Sequence, residues 1–85
     1  MRIVHLVRYL EEERVLVTAR EQVRQGHEVT LLLLHDAVLS RPAFEGVILA
    51  CRDDVVARGG QCPYPVVDYD GIVRLIGEHE RVISW

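Results

Sequence analysis

Apolar residues run along this chain in short, nearly unbroken blocks, separated by segments whose apolar positions recur every three or four residues. The blocks "RIVHLVR", "HEVTLLLL" and "GVILAC" are β-branched or Leu-rich at consecutive positions. They read as strands covered on both faces, because a strand with one face in water would alternate. Two shorter blocks, "PVVDY" and "RVISW", predict a fourth strand and a last edge piece. Between the first two blocks, over 11–25, Val15, Ala19 and Val23, with Leu16, fall on one helical face. Three glutamates open that segment, Arg20 and Arg24 close it in keeping with the helix dipole, and Gly26 suits a left-handed terminal residue.

The stretch "HDAVLSRPAFEG" after Leu34 predicts a short helix or turn, broken near Pro42 by the missing amide proton. A short helix is expected over 53–58, acidic at its start, ending on Arg58 and followed by Gly59. In "DYDGIVRLIGEHE", Tyr69, Ile72, Val73 and Ile76 stand at i, i+3, i+4 and i+7 behind Asp68, a suitable N-cap. Strands alternating with helices predict a single three-layer α/β domain over 1–85. Its parallel sheet of four to five strands is flanked by helices and joined by right-handed crossovers. The expected strand order is 2-1-3-4 with a short final edge strand.

Composition narrows the function classes. The chain has 85 residues, 49% hydrophobic and 27% charged, which suits a folded domain. So short a chain buries only about 60 to 65 per cent of its unfolded surface, so help from a partner subunit is expected. The net charge is -3, every basic residue is Arg and none forms a block, so direct nucleic-acid contact is disfavoured. The start "MRIVHLVRYLEEER" is apolar only to Leu10 and shows no small-residue cleavage site. It is expected to be neither a signal peptide nor a membrane span, and a cytoplasmic location follows as the default. The only serines, Ser40 and Ser84, lie outside any Gly-x-Ser-x-Gly, and no Gly-rich loop follows the first strand to hold phosphates. No cofactor is expected. His5, His27, His35 and His79 are scattered and no Cys-x-x-Cys occurs, so no metal site is expected either.

Reactive groups in open parallel sheets gather at the carboxyl ends of strands. His35 and Asp36 follow the second predicted strand, and Cys51 follows the third. They would share a rim if strands one and three were neighbours. Two readings of Cys51 stand side by side: a small buried hydrophobe closing a strand, or a nucleophile favoured by the following helix and Arg52 but opposed by Asp53 and Asp54. His35 and Asp36 read either as groups that cap and orient the segment or as proton-transfer partners. Cys62, in the Gly- and Pro-rich turn "GGQCPYP", is either a loop residue or a second thiol able to resolve a disulfide or persulfide on Cys51. Both thiols are expected to be free in a reducing compartment.

Three stretches in order, "LLLLHDAVL", "DDVVARGG" and "VVDYDGIVRLIGEHERVISW", resemble the DsrE/DsrF/DsrH family, and specifically its DsrH or TusB branch. The resemblance spans nearly the whole chain. It implies a cytoplasmic sulfur-relay subunit with a parallel sheet flanked by helices. Such a subunit would assemble with related DsrE/DsrF (TusD/TusC)-like subunits or with itself, and take sulfur as a cysteine persulfide from a TusA-like carrier. The implied destinations are 2-thiouridine in tRNA or a sulfur-oxidation pathway. In the DsrE or TusD branch the sulfur-carrying cysteine stands eight positions before the Gly of Arg-Gly, as Cys51 stands eight before Gly59. The H-type branch usually lacks that cysteine, and some members carry one in the first helix, where this chain has none. Ala37 replaces the usual Gly after Asp36. The resemblance therefore implies Cys51 as persulfide carrier, supported by Arg52, His35 and Asp36, or else a non-catalytic interaction subunit of such a complex.

Overall fold

The computed structural model describes residues 1–9 and 13–85. The expected opening of the first helix at Glu11 lies outside the described residues. Five strands, β1 (Arg2–Val7), β2 (Glu28–Leu33), β3 (Val47–Cys51), β4 (Val66–Val67) and β5 (Arg81–Ser84), alternate with helices α1 (Glu13–Arg24), α2 (Arg52–Ala57) and α3 (Tyr69–Glu78). A 3-10 turn, His35–Leu39, occupies the predicted break before Pro42. All strand pairings are parallel, giving the expected small three-layer α/β domain.

The strand order is β4-β3-β2-β1-β5, which corrects the expected 2-1-3-4. The reason is burial: the expected order would have put β2 at an edge, whereas its Leu31, Leu32 and Leu33 are at most 1% exposed and need cover on both faces and both edges. The chain steps outward from β1 through β2 and β3 to β4, and then returns past all of them to place β5 beside β1. The final strand is a short edge strand as expected, but it lies beside β1, and β4 forms the other edge.

Alternate residues of the strands point to opposite faces. Val29, Leu31 and Leu33 of β2, with Ile48 and Ala50 of β3, join Val15 and Ala19 of α1, Ala37 and Val38 of the 3-10 turn, and Val55 of α2 in one core. Val4 and Leu32 point the other way and are equally buried. Right-handed crossovers put the return connection through α3 on that second face, because the direction of winding has reversed.

Local signals behaved as their physics requires. Gly26 closes α1 at φ 92 and Gly59 follows α2 at φ 106, both left-handed. Asp68 caps α3 by accepting the Gly71 amide at 2.8 Å. The buried helix faces differ from those expected. Val23, at the end of α1, is exposed. On α3 it is Ile72, Leu75 and His79 that are half-buried, while Tyr69, Val73 and Ile76 face outward. The apolar residues of α3 allow two overlapping stripes, and the fit to the sheet selects one.

Leu31→Ala should cost about 2–5 kcal/mol in urea unfolding, as a large-to-small change in a closed core does. Val73→Ala, on the outward stripe of α3, should stay within about 0.5 kcal/mol of the parent; a larger loss would mean that Val73 packs in the core.

Candidate functional site

The carboxyl ends of β2 and β3 lie side by side, with Leu33 opposite Ala50 in register. His35, Asp36 and Cys51 consequently emerge at one rim, through the adjacency of β2 and β3 rather than of β1 and β3. Cys51 is the last residue of β3 and also the residue that precedes α2, in extended conformation with φ -71 and ψ 120. It is half-buried and its thiol is free, as is that of Cys62.

The pieces of this rim are held together by Asp54, one turn into α2. The backbone amide of His35 donates to Asp54 Oδ2 at 2.8 Å. His35 is the one described non-glycine residue in the left-handed region, at φ 50, a conformation that costs an L residue about 1–2 kcal/mol. The charged acceptor offsets that cost and fixes the turn by which the chain leaves β2. Arg58, at the end of α2, reaches back across the same turn: its Nε donates to Asp36 Oδ1 at 3.0 Å and its Nη1 lies 3.7 Å from Asp54 Oδ1. The Arg58 and Asp54 side chains are only 26% and 23% exposed, so this pair is shielded more than a surface bridge.

These contacts set the protonation states. Burial opposes ionisation of Asp54, but the His35 amide, the Cys51 thiol and the charges of His35 and Arg58 outweigh it and hold the carboxyl below its usual range. The sign follows from linkage: ionised Asp54 stabilises the fold above the ordinary carboxylate value, and this is lost as pH falls through the depressed one. Cys51 is pushed the other way. Burial first, then the hydrogen bond and negative charge of Asp54, raise its thiol above the ordinary value of 9.0, against the pull of the Asp54 and Asp53 amides. Those amides face the sulfur without closing a full cap hydrogen bond. Cys51 thus favours the neutral thiol beside a carboxylate.

No protein-family model and no curated protein matches this chain. The site therefore has to be read from its own geometry. His35 and Asp36 both join the Cys51 rim, His35 through its backbone and Asp36 through Arg58. Arg52 does not turn to the thiol; its Nε lies 3.9 Å from Asp53 Oδ1 on the exposed side of α2. Cys62 follows the far end of α2 and packs against the main core, so the two cysteines flank opposite ends of one short helix. Asp54 and Arg58 complete the site, and their i, i+4 spacing on the expected helix is the sequence signal that marks them as a pair. An open cleft of about 610 Å³ lies elsewhere, over Val7 and Leu33 at the ends of β1 and β2, and neither cysteine lines it. Among the described residues no cluster of three or more His, Cys, Asp or Glu could hold a metal ion. No described helix is long and apolar enough to cross a membrane.

Asp54→Asn keeps an acceptor for the His35 amide but removes the charge beside the thiol. The pH profile of Cys51 alkylation, followed by mass spectrometry, should move to lower pH in this variant. An unmoved profile would mean that Asp54 does not govern the thiol.

Proposed function

We propose that this chain is a sulfur-relay protein in which Cys51 carries sulfane sulfur as a persulfide. The observation that carries the proposal is the placement of a free, half-exposed thiol at the carboxyl rim of a parallel sheet, inside a polar cluster built from two neighbouring strand ends. Thiol–persulfide exchange needs a sulfur that a donor can reach and a way to lose its proton. Cys51 meets the first condition by its position, and the Asp54 carboxylate beside it is a group that can draw on the thiol proton. In the transfer, the Cys51 sulfur attacks the outer sulfur of a donor persulfide. The donor's S–S bond breaks, the new S–S bond forms on Cys51, and the proton leaving Cys51 ends on the donor thiolate. No net oxidation occurs. Delivery to an acceptor thiol repeats the exchange with Cys51 as donor.

The resemblance to the DsrH or TusB branch supports the same reading and supplies its setting. In that setting the chain works in the cytoplasm, takes sulfur from a TusA-like carrier, and associates with DsrE/DsrF (TusD/TusC)-like subunits or with itself. The end use is tRNA 2-thiouridine synthesis or sulfur oxidation. A second reading, a non-catalytic interaction subunit of such a complex, is favoured by the raised Cys51 thiol and by the acidic residues around it, because relay cysteines work best as thiolates.

Intact-mass analysis after exposure to a persulfide donor tests the first reading. The parent chain should gain one sulfur, Cys62→Ser should gain it as well, and Cys51→Ser should not. Uptake by Cys51→Ser, or none by the folded parent, would transfer the assignment to the interaction-subunit reading.

A further inference from the structure

The sulfur site leaves one buried titratable group unused. His5, in the middle of β1, is completely buried. Its ring has a partner on each nitrogen: Trp85 Nε1 lies 3.0 Å from Nδ1, and Gln22 Oε1 lies 2.6 Å from Nε2. An indole N–H can only donate, so Nδ1 must be the bare acceptor and Nε2 must carry the hydrogen that Gln22 receives. The arrangement is satisfied in a single protonation state and a single tautomer. It also ties together distant parts of the chain, since Gln22 belongs to α1 and Trp85 follows β5.

Trp85 is also packed against the main core. Its backbone amide donates to Leu6 O at 2.9 Å, and Arg8 Nε donates to its carbonyl at 2.9 Å. The Arg14 guanidinium lies 5.9 Å from its ring centroid. In the sheet, His5 is flanked in register by Leu31 of β2 and Ile83 of β5, neither of which titrates. The charged groups near the contact from the surrounding elements are Arg14, Arg8 and Glu21 beside Gln22. Glu21 is engaged with Arg24 at 3.1 Å.

We propose that His5 and Trp85 form an acid-released latch on the edge of the sheet. A proton taken from solvent onto Nδ1 turns that nitrogen into a donor facing the indole N–H. The hydrogen bond is then replaced by repulsion between two donors, next to a buried cation with two arginines close to Trp85. The indole swings out and the end of β5 loosens from β1. This is the point where the winding of the sheet reverses, and release there uncovers the carboxyl end of β1. Burial already disfavours the charged imidazole and holds it below the ordinary 6.5, with the Gln22 hydrogen bond pulling the other way. The latch is therefore fully closed above the ordinary imidazole value, weakens as pH falls below it and opens as pH drops through the depressed one, since the open form takes up the proton that the closed form resists.

Trp85 is the only tryptophan, so its fluorescence reports the latch directly. On acidification its emission should shift to the red before the far-UV circular dichroism of the helices changes, and His5→Gln should show no such early shift. An emission change that only accompanies loss of the helical signal, or an identical early shift in His5→Gln, overturns the proposal. Should His5→Gln fail to fold, Trp85→Phe decides instead. Without its indole donor, the His5 imidazole should titrate at higher pH by NMR than in the parent, and an unchanged titration also overturns the latch.

Discussion

Everything in this domain is arranged around one strand that cannot face water. β2 presents apolar side chains on both faces, and Leu31, Leu32 and Leu33 are closed off almost completely. A strand of that kind needs a neighbour on each edge and a helix layer on each face, since a sheet edge or an open face would leave apolar surface and backbone groups in water. β1 and β3 supply the edges; α1, the 3-10 turn and α2 close one face, and the return through α3 covers the other. The order β4-β3-β2-β1-β5 is what remains once the leucine run is placed at the centre.

The same constraint creates the polar rim. Because β2 and β3 are forced side by side and run in parallel, the turns that leave them must emerge together at their carboxyl ends. The backbone there cannot be buried without partners. Asp54 answers for the strained His35 amide, Arg58 ties Asp36 back to α2, and Cys51 is left between the strand end and that carboxylate. A cluster that first serves to close two turns thus also sets the protonation state of the one thiol placed there. Structural demand and the sulfur chemistry proposed for Cys51 draw on the same side chains, and this explains why Asp54 can both support the turn and oppose a thiolate.

The two faces are not closed equally. The α1 face holds a continuous core, whereas α3 has no fully buried residue and turns Tyr69, Val73 and Ile76 outward. Where β5 lies beside β1, closure includes polar contacts, with His5 satisfied through Gln22 and Trp85. A small domain has too little volume to bury every element by apolar contact alone. Its β5 margin is accordingly held in part by side-chain hydrogen bonds.

Features that depend on near neighbours in the chain were legible before the fold was known. Periodicity separated strands from helices, the Gly26 and Asp68 termini were legible from local backbone chemistry, and alternation of elements specified a parallel three-layer sheet. The placement of Cys51 at the start of a short acidic helix was equally local. Tertiary structure alone decided what depends on competition between distant segments. Strand order was one such choice, because parallel neighbours make the same hydrogen bonds whichever strand they join, and only total burial ranks the alternatives. The inward stripe of α3 was another, selected by shape against the sheet. So was the partnership of His5 with Trp85, eighty positions apart: nothing in either residue's local surroundings marks the other, and the contact exists only because β5 returns to lie beside β1.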